Sequence, residues 1–404
     1  MKTAYLTAGV PNNNMTLYWK MRFLVGDPAA VLEFDEERPF PEAKPTENPK
    51  AGSVPGKTRL LILRDIENER ARLYAKADLV ACPADFAPEN GLSGDREIAT
   101  AQSVAEAFRR AGTQLVVSDR SLPLVYVDAL KKAGISCECD LDRGVFERRS
   151  KDESELAFIR EAQLATEEAI RRACVRIAKA KPDSEGKLFA ADDAEPLTSE
   201  SVRSFIDRNL LEMGYANVPS IVAGKKDGGD CHNYGSGPLY TGEPVIIDVF
   251  PMNKATLYNG DCTRTVVNGE IAPIYQKMFD AVRAAKAAAT ATIKAGVDGE
   301  TVHKATIKAL EEHGFGYAAP GTPEAENEIR LTHGTGHGLG LSIHEPPLTD
   351  FRGPKLVVGD VVSVEPGLYG KAVGGIRIED IVAVTEDGCV NLGSPLPEQL
   401  DWLE

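Results

Sequence analysis

Hydrophobic positions recur along this chain with two different periods, and the way they alternate divides it. Over residues 1–149, short apolar runs at 30–34, 60–63, 78–82 and 114–118 alternate with helical patterns. The clearest helix is expected at 96–110, where Ile98, Ala101, Val104, Ala105 and Phe108 share one face. Such alternation predicts an α/β layer. A Pro-rich loop, PFPEAKPTENPKAGSVPGK, interrupts it, and Gly26, Gly52 and Gly56 lie in loops without the strand–turn–helix context of a phosphate site.

The pattern changes near Arg148. Ser150 and Glu153 read as a capping box, opening a long helix with Leu156, Ile159, Ala162, Thr166, Ala169, Ala173 and Ile177 at helical intervals. The division predicted is therefore two domains, 1–149 and 150–404. An acidic connector, PDSEGKLFAADDAEP, precedes a second amphipathic helix, marked by Val202, Phe205, Ile206, Leu210 and Met213 and ended by Gly214. Strands are expected to dominate the next fifty or so residues from Pro219. The apolar run 245–250 is broken only by Asp248, and a turn through Asn253 and Lys254 leads to a strand carrying Asp261. Helices are expected at 274–295 and 301–313, stopped by Gly296 and Gly314, and strands at 361–365 and 376–384. In the last of these Ile376 and Ile378 face one side while Arg377 and Glu379 face the other.

Composition narrows the partners. With 61 acidic against 46 basic residues the net charge is −15, which argues against nucleic acid and anionic membranes. Seven scattered cysteines suggest no disulfide framework, and Cys137 and Cys139 read as two positions of one strand. Neither a signal peptide nor a membrane span is expected, so the reading is a cytoplasmic protein.

Candidate chemistry concentrates in residues 333–345, HGTGHGLGLSIHE, which hold three of the six histidines. His303 and His313, among Lys and Glu on helices, read as surface residues. Asp248, Asp261, Glu365 and Glu379 each interrupt or end an apolar strand. A carboxylate buried this way is costly unless paired, with Arg264 the nearby candidate for Asp248, or bound to metal. With one histidine these acids form a set of oxygen donors plus a nitrogen that suits a pair of divalent cations such as manganese, cobalt or zinc, with two carboxylates bridging. Two such cations can deprotonate a water between them and polarise a carbonyl, the requirements of hydrolysis. The remaining histidines would hydrogen-bond the substrate amide and the oxyanion.

HGTGHGLGLSIHE, with upstream Asp248 and Asp261 and downstream VEPGLYG and GGIRIED, resembles the pita-bread metallopeptidase family of aminopeptidase P, prolidase and methionine aminopeptidase. The proline-specific branch is the most similar, having the same Gly-rich double-histidine segment and a separate N-terminal domain. The resemblance implies a creatinase/prolidase-like α/β domain over 1–149 and an α+β pita-bread catalytic domain over 150–404. It implies that Asp248 binds one metal, that Asp261 and Glu379 bridge both, and that His337 and Glu365 bind the other. Glu365 would also carry the proton of the attacking water, and His232, His333 and His344 would contact substrate, with His333 on the proline side. Arg377 would orient a ligating carboxylate, with Tyr258 and Thr263 as further candidates for that task.

The implied activity is Xaa-Pro aminopeptidase, a metal-bridging hydroxide attacking the scissile carbonyl, with manganese first among the metals. Small peptides with proline in second position would be the substrates of a homodimer. Xaa-Pro dipeptidase is the alternative, ahead of a non-catalytic pita-bread scaffold or a metal-free C–N hydrolase resembling creatinase. Three departures from regularity stand out. His337 and His344 would point to opposite strand faces unless Gly338 and Gly340 permit a bulge. The Asp248 to Asp261 interval is longer than the family's, the excess falling at 251–256 on the pocket rim. Cys262 reads as a small core residue on the opposite face, or else as an oxidation-sensitive thiol near the metals together with Cys231.

Overall fold

Thr3–Gly9 is an interior strand of a seven-stranded sheet, antiparallel to Ala29–Phe34 on one side and parallel to Leu115–Ser118 on the other. It belongs to the first of two units in this computed structural model, Met1–Arg148 and Arg149–Glu404. Described are residues 2–48, 54–191, 194–319, 321–323, 325, 328–394 and 396–403, so Gly52 and two residues of the acidic connector lie outside the described residues. The pattern at the start of the chain did not announce a strand. Its sequence, TAYLTAG, carries Ala4, Ala8 and Gly9, residues depleted in strands, and packing between two neighbouring strands holds it there.

The full order in this sheet is Lys44–Pro45, Leu79–Ala81, Thr58–Ile62, Ala29–Phe34, Thr3–Gly9, Leu115–Ser118, Ser136–Cys139. Period-two alternation gives it two buried faces. Leu6, Ala30, Leu32, Leu60 and Ile62 pack with Val104 and Phe108 of the helix Arg96–Arg110, while Val31 and Leu61 pack with Leu17, Met21 and Ala71. Ile98, expected on the helix's apolar face, is instead exposed, because it lies in the first turn at the edge of the contact.

In the second unit the helix Glu153–Ala178 starts two residues later than the Ser150 box predicts. Asp152 is the cap: its Oδ1 accepts from Glu155 N at 2.9 Å, and Glu155 Oε2 accepts from Asp152 N at 3.1 Å. The chain is held extended before it by Lys151, whose N–H donates to Gly359 O and whose Nζ meets the buried Glu345 at 2.7 Å.

Three sheets of three or more strands follow among the described residues. Ile221–Ala223, Pro244–Val249 and Cys262–Val267 form an antiparallel sheet with Asp248 opposite Thr263. Val245, Ile247, Val249, Cys262 and Val266 face a core shared with Ala162, Ala169 and Ile170 of the long helix. The intervening positions, among them Asp248 and Thr263, therefore point the other way. Turns rather than strands occupy residues 224–243, and they carry His232. A second sheet orders Glu345–Thr349, Gly336–Gly338, Val361–Val364, Asp380–Val384 and Cys389–Asn391, and a third orders Gly316–Tyr317, Arg330–Leu331, Gly367–Gly370 and Gly374–Arg377. The helices Pro273–Thr292 and Gly299–Glu312 pack against these two sheets. No helix among the described residues is long and apolar enough to cross a membrane.

Three further expectations are corrected. The strand expected at 376–384 is two strands in different sheets, Gly374–Arg377 and Asp380–Val384, with Ile378 and Glu379 at the crossing. Arg264 does not pair with Asp248; its guanidinium points to the helix side and meets Asp380 at 2.8 Å. His303 is wholly buried, edge-on to Tyr317 and Phe351 and bonded to Thr335, because it occupies the inner face of its helix. His313, in contrast, is exposed.

Candidate metal centre

A cleft of about 480 Å³ in the second unit is lined by Asp248, Asp261, Glu365, Glu379, His337, His333, His344, His232 and Arg377. The acids arrive from separate elements. Asp248 extends from the inner positions of its strand, and Asp261 precedes Cys262–Val267, its N–H held by Gln163 Oε1 at 2.9 Å. Glu365 follows the strand Val361–Val364, and Glu379 stands at the crossing between two sheets, its N–H donating to Thr263 O. Asp261, His337 and Glu379 each offer a donor atom within 4.8 Å of the others. His337 Nε2 lies 3.2 Å from Glu365 Oε1 and 3.6 Å from Asp261 Oδ2.

Orientation of the imidazole follows from its other nitrogen. His337 Nδ1 is 3.2 Å from Gly338 O, so Nδ1 carries the proton and Nε2 presents its lone pair to the acids. This is the tautomer a metal ligand requires. The expected bend is present. The pairing register shifts between His337 and Gly338, whose strand partners are Leu348 and Glu345, and the His337 and His344 rings come to lie edge-to-face 4.2 Å apart. A Cβ on Gly338 would lie 2.4 Å from Glu345 O, so no larger residue fits at the shift.

Charge balance is the informative feature. Burial, with Glu379 and Asp248 close by, pushes the Asp261 carboxyl well above its usual range, and burial with Glu365 and Asp248 does the same to Glu379. Glu365 is pushed up to about 7, burial outweighing the Arg377 charge. Asp248 Oδ1 and Glu379 Oε1 are buried with no hydrogen-bond partner. Orphaned carboxylate oxygens turned into a crowd of like charges fit divalent cations, which would satisfy both the lone pairs and the repulsion.

One oxygen each of Asp248, Glu379 and Glu365 is held in place. Arg377 Nη2 donates to Asp248 Oδ2 at 2.7 Å, Nε to Thr263 Oγ1 at 3.2 Å, and Nη1 to Tyr369 Oη at 2.9 Å and Cys231 O at 3.2 Å. Thr263 Oγ1 donates to Glu379 Oε2 at 2.8 Å, and Ser363 Oγ to Glu365 Oε1 at 3.0 Å. Tyr258, by contrast, gives its hydroxyl to Glu155 on the long helix rather than to an acid of the cleft.

His333 is already engaged at both nitrogens, Nδ1 with Gly334 O and Nε2 with Tyr369 Oη, each at 2.8 Å. It contributes the ring rather than a free polar atom. Burial pushes its titration down to about 3 and holds His344 below the usual histidine range, so both rings are neutral near pH 7. His232 is exposed at the cleft wall. Tyr369 and Ser363 were missed by sequence reasoning, although Tyr369 lies inside the VEPGLYG motif. Cys262 is buried in the helix-side core, its Sγ donating to Glu379 O at 3.3 Å, and burial pushes its thiol and that of Cys231 upward. Both are held as thiols, which favours the core reading over an oxidation-sensitive one.

Residues 157–386 match the family described as metallopeptidase family M24. A protein described as a probable dipeptidase PepE, from Mycobacterium tuberculosis, is 31% identical over 250 residues, covering 61% of this chain and 59% of its own length. Among solved structures, the X-Pro aminopeptidase of Thermotoga maritima superposes with a TM-score of 0.75 at 21% identity, covering 98% of this chain and 96% of that one. The prolidase of Pyrococcus horikoshii gives 0.72 at 21% identity, with 96% and 93% covered.

Proposed function

The chain belongs to metallopeptidase family M24 and has its pita-bread fold, and from that premise we propose that it is a two-metal exopeptidase hydrolysing the bond between a first residue and proline. The observation that carries the reading is the pair of orphaned oxygens, Asp248 Oδ1 and Glu379 Oε1, beside Asp261, His337 and Glu365. Asp248, Asp261, His337, Glu365 and Glu379 would hold two divalent cations, manganese first, with cobalt or zinc as alternatives. Bound there, the cations supply Lewis acidity toward the scissile carbonyl and a water acidified near neutral pH.

The chain's own residues do the rest. Glu365 takes the proton of the attacking water and returns it to the leaving proline nitrogen. His344 and His232 donate to the carbonyl oxygen and the substrate amide. Thr263 and Ser363 fix one oxygen of Glu379 and Glu365, and Arg377 fixes Asp248, so the free oxygens stay aimed inward. His333 packs its ring against the proline side.

Seven free cysteines and a net charge of −15 support a soluble cytoplasmic enzyme, and we take it as a homodimer. Aminopeptidase action on longer peptides is the preferred reading, with Xaa-Pro dipeptidase as the alternative that the names of relatives also support. Manganese-loaded protein given an Ala-Pro dipeptide, an Ala-Pro-containing tetrapeptide and a proline-free control should release alanine only from proline-containing peptides. Equal release from the control would overturn the reading.

A further inference from the structure

Five acids line the cleft, and Asp350 is the one that stands apart from the ligand cluster. Strand register gives its position. Gly336 pairs with Thr349 and His337 with Leu348, so Asp350 falls beside Thr335, two steps or roughly 7 Å along the strand from His337. It therefore lies on the His333–Gly334 side. Gly334 is what admits it there: a Cβ on that residue would sit 2.9 Å from Asp350 Cβ and Cγ.

The carboxylate is available for a ligand. Its side chain is 36% exposed, and Oδ1 accepts from Phe351 N at 2.6 Å. The basic group facing it is His303 Nε2, 3.4 Å away. That ring is wholly buried. Nδ1 bonds Thr335 Oγ1 at 3.0 Å, so the neutral ring is held in the fold in either tautomer. Nε2 is buried without a hydrogen-bond partner, and burial holds the ring below its usual titration range. His303 thus leaves the Asp350 charge unneutralised. Among the described lining residues Arg377 is the sole Lys or Arg, and its guanidinium is engaged by Asp248, Thr263, Tyr369 and Cys231.

We propose that Asp350 is a specificity residue that selects peptides with a cationic side chain on the residue following proline. This rests on the Xaa-Pro reading above, in which His333 lines the proline side, and it deepens that reading. A substrate ending at proline would bring its terminal carboxylate toward the Asp350 carboxylate, which disfavours dipeptides. A peptide continuing with Lys or Arg gains a half-exposed ion pair instead.

The test compares kcat/KM for Ala-Pro-Lys-Ala, Ala-Pro-Glu-Ala, Ala-Pro-Leu-Ala and Ala-Pro, using manganese-loaded full-length protein and its Asp350→Asn variant. Asn retains the oxygen that accepts from Phe351 N. Each enzyme is judged by its own lysine-to-glutamate ratio, which cancels differences in folding or metal loading. The parent ratio should be about fivefold, the scale of an exposed ion pair, and should shrink in about 0.5 M salt. In Asp350→Asn it should fall toward one. Hydrolysis of Ala-Pro-Leu-Ala with no charge preference, or a preference that Asp350→Asn leaves intact, would overturn the assignment of Asp350 alone. No hydrolysis of any Ala-Pro peptide would overturn the Xaa-Pro reading and this proposal with it.

Discussion

Arg377 Nη2 meets Asp248 Oδ2 at 2.7 Å across 129 residues of sequence, and both side chains are nearly closed to solvent. This contact is the counterweight to the acid cluster. The same guanidinium reaches Thr263, which holds Glu379, and Tyr369, which holds His333, so one cation fixes groups on both sides of the cleft.

Arg377→Lys should therefore be far from conservative. A lysine keeps the charge but lacks the planar fork that reaches four partners at once. We expect the metal-loaded variant to lose roughly a hundredfold in kcat/KM, with Asp248 free to rotate. Thermal unfolding should still show a single folded species. Turnover within a factor of about three of the parent would mean that Arg377 does not orient the site.

Metal removal gives the second prediction. Without cations the acids repel, and burial drives Asp261 and Glu379 to take up protons. Manganese should raise the melting temperature of the chelator-stripped parent by several degrees, as any ligand of the folded state does. Glu379→Gln should abolish both this shift and hydrolysis, while the stripped variant melts no lower than the stripped parent, because a carboxyl that must take up a proton to be buried has been replaced by a neutral amide. A manganese-induced shift that persists in Glu379→Gln would exclude that residue as a ligand.

Particular residues show how much of the site is legible in the sequence. Asp248 was legible because a carboxylate inside VIIDVF contradicts its own surroundings, and the strand's alternation placed it opposite the helix-side core. Arg377 and Glu379 were placed on one side by period two, although the strand they were assigned to breaks between them and changes sheet. Tyr369 and Ser363 stayed hidden because nothing local distinguishes a structural hydroxyl from one that bonds a residue 36 positions away or a strand neighbour. His303 was misjudged for a related reason. Lys and Glu beside it describe the outer face of the helix, and only the tertiary contact with Thr335 defines the inner one.

His303→Leu tests that buried position. The substitution keeps bulk but removes the hydrogen-bond partner of Thr335, leaving a buried oxygen one partner short, which costs about 1–3 kcal/mol. Denaturant titration should show a lower midpoint with the slope unchanged. Manganese content should stay the same, since His303 contacts none of the five ligands. A midpoint equal to the parent's would show that the Thr335 bond adds nothing to stability.

The last prediction concerns acid. His333 is held between Gly334 O and the Tyr369 hydroxyl, and its titration is pushed from 6.5 down to about 3, chiefly by burial and then by the Arg377 charge. The unfolded chain takes up a proton at this residue near pH 6.5, whereas the folded chain refuses it until about 3. Between those values the unfolded state binds more protons, so stability is full above 6.5 and falls as the pH drops toward 3. A fully realised single-proton difference has a slope of about 1.4 kcal/mol per pH unit. His333→Gln keeps an acceptor for Tyr369 but cannot titrate. Its unfolding free energy, measured with chelator present from pH 7 to 4.5, should fall less steeply than the parent's by up to that slope. Parallel pH profiles for the two proteins would show that His333 is protonated as readily in the fold as outside it.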